Sequence, residues 1–136
     1  MNKKNLISIA RYLPTIRQEN FDMLKFRTGD KSSHECNSIG CVIGHCTILD
    51  DYENIPRTPT GQINFQLWSE KYTGLPIDSE EWAWCFSEQW AHWGTDNTPI
   101  GAAKRIIWLI TEGLPENWRE QITGEDPLCY TNIEIF

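Results

Sequence analysis

The fold turns on the reading of residues 98–114, TPIGAAKRIIWLITEGL. Thr98 followed by Pro99 is a helix start: a hydroxyl to cap free amides, then a residue whose fixed φ and missing N–H suit the first helical position. Ile100, Ala103, Ile107, Ile110 and Leu114 recur at helical spacing and predict one apolar face, and Gly113 supplies the stop. A confident helix of this length, with no comparably clear strand elsewhere, sets the class as mainly α.

Immediately upstream, residues 81–96 read EWAWCFSEQWAHWGTD. Trp82, Cys85, Phe86, Gln89, Trp90 and Trp93 form a helical stripe and are expected in the core. Asp78 and Glu81 have capping-box spacing for the start of that helix. Trp84 and His92 fall off the stripe and are expected to be exposed, where an indole can anchor a partner or stack on a ring. Glu80, Glu81 and Glu88 are read as solvated helix charges rather than as an acid–base pair.

Further back, Ile63, Leu67, Trp68, Tyr72 and Leu75 predict another amphipathic helix, stopped by Gly74 and Pro76. Residues 50–60 are a loop. Leu6, Ile9, Ala10 and Leu13 predict an N-terminal helix with Asn2 as cap and Pro14 as stop. Phe21, Met23 and Phe26 read as anchors of an irregular segment. After Leu114 the pattern weakens: residues 115–136 are expected as a loosely attached tail, with a short edge strand over residues 130–136. The expected architecture is one domain spanning residues 1–136, with about five short helices and at most a minor β element.

Residues 34–46, HECNSIGCVIGHC, hold two histidines and three cysteines. Ser38 is the expected cap of a helix over residues 39–49, buried on most faces, with Gly40 and Gly44 allowing close backbone approach. Zinc would take thiolate and imidazole, and His34, Cys36, Cys41 and His45 are the candidate ligands. Their spacings do not form the two separated ligand pairs usual in structural sites. Alternatively, Cys41 in a first turn would have its thiolate favoured by the helix dipole, with His45 one turn on as base. A Cys36–Cys41 disulfide is a third option. The preferred reading is architectural: small buried thiols and a hydrogen-bonded histidine, with no cofactor. Helix starts at Ser38–Gly40 and at Thr98–Gly101 offer free amides to an anion.

Together, Phe21-x-Met23, Cys36-Asn37-Ser38-x-Gly40-Cys41-x-Ile43-Gly44-His45 and Thr98-Pro99-x-x-Ala102-Ala103-x-x-Ile106 resemble a loose group of small bacterial and phage proteins with a C-G-[ST]-x-[AG]-C-x-x-G-[HW] signature. The resemblance spans about residues 5–115 and departs at Asn37, where the group carries Gly. It implies an accessory gene product of a phage or mobile element, and no activity.

Charge narrows the partners. Nineteen acidic residues against twelve Lys and Arg give a net charge of −7, and the basic residues are scattered. A phosphate backbone is repelled on average, so nucleic acid is disfavoured. No run of about 18 apolar residues predicts a membrane span. The N-terminal apolar run is broken by Arg11 and ended by Pro14, unlike an export signal. Five cysteines, an odd number, fit a reducing cytoplasm. Seven tryptophans are an excess for 136 residues. The expectation is a non-enzymatic, acidic, cytoplasmic binding protein that occupies a host protein or sequesters a small molecule. A metal protein or enzyme built on Cys41 and His45, and a structural or oligomeric component, are its rivals.

Overall fold

The computed structural model describes residues 1–23 and 41–135. The described chain is mainly helical: α1 (Lys3–Tyr12), α2 (Val42–Cys46), α3 (Phe65–Thr73), α4 (Glu80–Phe86), α5 (Gln89–His92), α6 (Pro99–Glu112) and α7 (Trp118–Thr123). No sheet forms among the described residues, although an isolated antiparallel bridge joins Arg57 to Ile63. Residues 130–135, where a short strand was expected, are turn and irregular chain.

Helix α1 follows its sequence pattern. The Asn2 side chain accepts a hydrogen bond from the Asn5 amide at 3.0 Å, and Leu6, Ile9, Ala10 and Leu13 are all buried. Each large aliphatic side chain buried in this way contributes about 1.5–3 kcal/mol relative to exposure. Pro14 lies in the 3-10 turn that closes the helix. The start of α1 is pinned to the end of α3, where the Asn2 amide donates to the Thr73 carbonyl at 2.6 Å. Gly74 makes this approach possible. It sits at φ +72°, and a Cβ there would come within 3.1 Å of the Asn2 nitrogen.

Helix α6 is central, packed by α1 and α4 and by the 3-10 turn after α1. Thr98 caps it by accepting from the Gly101 amide at 2.9 Å. Its buried side is broader than the predicted stripe: Ala102, Ala103, Ile106, Ile107 and Leu109 are buried, whereas Ile100 is exposed. A helix enclosed by neighbours on several sides has no single apolar face, so periodicity misplaces its exposed edge. Leu67 is likewise exposed; α3 buries Trp68, Ser69 and Thr73 instead.

The predicted helix over residues 39–49 is shorter. Cys41 is extended, at φ −86° and ψ −174°, and occupies the N-cap position of α2. After Cys46 the chain tightens into a 3-10 turn, Thr47–Leu49. Ser38, Gly40 and Phe26 lie outside the described residues.

Candidate functional site

In the cysteine–histidine segment, His34 and Cys36 also lie outside the described residues, so the four-ligand zinc set is represented by Cys41 and His45 alone. Among the described residues, no three His, Cys, Asp or Glu side chains gather as a metal set. Cys41 is not in a first helical turn, as a Ser38 cap required, but at the N-cap. It is 2% exposed. Burial pushes its thiol up to about 11, outweighing the amides of Gly44 and Ile43 that favour the thiolate. Burial also raises Cys46, with Cys41 adding to the effect. The His45 ring is turned to the Asn20 carbonyl at 2.5 Å. A carbonyl only accepts, so Nε2 carries the proton in that bond. Cys41, Cys46, Cys85 and Cys129 are free thiols.

The tryptophan segment is rearranged. The chain is extended at Ser87, at φ −65° and ψ 139°, between α4 and α5. Its hydroxyl accepts from the Gln89 amide at 3.1 Å, a local turn that competes with continued helix. This break resets the helical phase and exchanges two predicted roles. Trp84 is fully buried and Trp93 is 54% exposed. Trp84 was expected at the surface and is corrected to the core; His92 is exposed as its position predicts.

Trp93 faces a groove of about 540 Å3 between α5 and α7. Glu88, Gln89, His92 and Trp93 line one side, and Trp118, Arg119 and Thr123 the other. His92 meets the Trp93 ring edge to face, with centroids 5.5 Å apart. On the opposite wall, the Arg119 guanidinium carbon lies 4.6 Å from the Trp118 ring centroid, and Arg119 pairs with Glu80 at 3.5 Å. Sequence reasoning found His92 but not Trp93, Trp118 or Arg119. The helical spacing of Trp118, Gln121 and Ile122, all buried, is the signal that identifies α7.

A buried polar cluster fixes the two walls of this groove. Asp96 follows α5 and takes a left-handed backbone, φ +44°. Its carboxylate accepts from the Thr98 hydroxyl at 2.6 Å and from the Tyr130 hydroxyl at 2.9 Å. Arg105, on α6, is fully buried. It donates to the Tyr130 oxygen at 2.9 Å and to the Asp96 carbonyl at 3.1 Å, and its ion-pair distance to the Asp96 carboxylate is 3.7 Å. The guanidinium carbon lies 3.9 Å from the Trp90 ring centroid, a cation–π contact in a dry setting. Trp84 Nε1 donates to the Arg105 carbonyl, and Trp90 Nε1 to the Trp84 carbonyl, both at 2.9 Å. Thr95 donates to the Ile122 carbonyl and so joins the loop after α5 to α7. Tyr130 and its neighbours thus hold the segment after α7 against the core. Burial raises the Tyr130 phenol, with Arg105 opposing and Asp96 reinforcing.

The Asp96 carboxylate also accounts for the start of α6. A Cβ built at Gly101 would overlap it, so the protein's own anion sits where a bound one was considered. A second depression, about 500 Å3, is lined by Asn5, Asp50, Asp51, Lys71 and Tyr72 among others. Asp50 is already committed there: it accepts from the Asp51 amide at 2.8 Å and from Trp68 Nε1 at 3.1 Å.

Comparison with protein-family models, with curated proteins and with solved structures yields no match. No described helix is long and apolar enough to cross a membrane.

Proposed function

We propose that this chain is a non-enzymatic binding protein that docks a protein partner in the α5–α7 groove. Trp93 carries the reading: it is 54% exposed at the groove, while Trp68, Trp84 and Trp90 are at most 1% exposed. An indole held at the rim of a concave surface can bury a large area on docking while losing little side-chain freedom. Trp118 and Arg119 give the facing wall a rigid aromatic and a polar edge. The Asp96–Arg105–Tyr130 cluster supports the reading by preorganising both walls, which lowers the ordering cost of binding. Binding is favoured over catalysis because Cys41 keeps its proton and His45 is turned to Asn20. The proposed setting is the cytoplasm, in an accessory product of a phage or mobile element, on the strength of the two-cysteine resemblance.

The test is affinity capture from host lysate with three immobilised proteins: wild type, Trp93→Ala and Tyr52→Ala. Tyr52 is an equally exposed aromatic away from the groove, 68% exposed. A species retained by wild type and Tyr52→Ala but lost by Trp93→Ala supports the groove. Retention that survives Trp93→Ala and fails with Tyr52→Ala contradicts it.

A further inference from the structure

The charges around Trp93 specify the partner more closely, on the premise that the groove is the docking surface. Of the two ionised side chains lining it, Arg119 is already answered: it pairs with Glu80 and lies over Trp118. Glu88 is exposed and belongs to no ion pair among the described residues. The groove therefore offers one uncompensated carboxylate beside an exposed indole, in a chain of net charge −7. That combination disfavours an anionic ligand. It is complementary to a cation that can lie on an aromatic ring while its charge meets a carboxylate.

We propose that the α5–α7 groove takes a lysine or arginine side chain of a basic partner segment, its stem on Trp93 and its head at Glu88. The long alkyl stem covers apolar ring surface while the charged end stays at the wet rim. The negative field of the whole chain steers such a segment toward the surface, and its effect weakens as salt is added.

The experiment uses the full chain labelled with 15N and follows the tryptophan indole signals, with Trp93 assigned from a Trp93→Phe variant. One probe is an acetylated, amidated peptide of alternating glycine and arginine. The other replaces each arginine with citrulline, which keeps the planar hydrogen-bonding head and loses the charge. The expected result is a saturable shift of the Trp93 signal with the arginine peptide, about tenfold weaker with the citrulline peptide. Glu88→Gln should weaken the arginine peptide to a similar level, and added salt should weaken it in the wild type. Equal affinity for both peptides at Trp93 overturns the cationic partner and leaves the groove standing. A shift at Trp93 that is indifferent to Glu88→Gln also overturns it. If neither peptide moves Trp93, the cationic partner falls, and the capture comparison separately decides whether the groove falls with it.

Discussion

Replacing Asp96 with Asn should destabilise the fold by about 3 kcal/mol, because it leaves the Arg105 charge buried without its carboxylate. Asn is the informative choice. It tolerates the left-handed backbone at φ +44°, so the change tests charge rather than strain. Removing one partner of a buried pair costs about 3–5 kcal/mol. The lower end applies here because the Asp96 side chain is 23% exposed while that of Arg105 is fully buried. The Tyr130 and Thr98 hydroxyls also lose a charged acceptor. Unfolding entropy near 2.1 cal/mol/K per residue converts this loss to a fall in Tm of about 10 °C for a chain of this size. Circular dichroism at rising temperature and urea titration give the two numbers, with an unchanged urea slope showing that the same two states are compared. Adding Arg105→Met to Asp96→Asn should recover about half of the loss, since the orphaned charge is then gone. If Asp96→Asn lies within about 0.5 kcal/mol of wild type, or if the double variant is no more stable than the single, Asp96 does not compensate Arg105 and the reasoning fails.

Gly101→Ala should destabilise by about 1–3 kcal/mol, because the methyl displaces the Asp96 carboxylate; helix propensity alone predicts a gain of about 1 kcal/mol, so the sign of the urea shift decides. Asn2→Ala should cost about 1 kcal/mol through the lost cap, read from the urea midpoint, and no change would mean the cap carries no weight. Among the four described thiols, iodoacetamide should modify half-buried Cys129 first in the native protein, by peptide mass spectrometry, and rapid labelling of Cys41 would contradict its burial. Cys41 also sets an alkaline limit. Its folded pKa is raised, so its contribution is complete below the ordinary thiol value and is lost as pH rises through about 11. Cys41→Ala should flatten that decline in the urea midpoint.

The elements legible in the sequence are those whose local signals agree with their surroundings. Asn2, Thr98 and Gly113 mark helix ends by chemistry acting within four residues, and α1 buries the one face its spacing predicts. The tryptophan segment misleads because periodicity assumes an unbroken helix. A single extended residue, Ser87, rotates everything after it, and so Trp93 rather than Trp84 reaches the groove. The groove itself joins residues about thirty apart, across α5 and α7, which no local pattern encodes. A lone arginine in the apolar run of residues 102–110 was a visible anomaly. Its partners Asp96 and Tyr130 become legible only once α6 and the segment after α7 are placed together.

The most direct test of the binding account is photo-crosslinking in the host cell. Benzoylphenylalanine is placed at position 93, at the rim of the groove, and in a second protein at position 52, on the other exposed aromatic. The account predicts one or a few discrete crosslinked species from position 93, sharply reduced by Glu88→Gln and absent from position 52. Discrete species from position 52 with none from position 93 would contradict it.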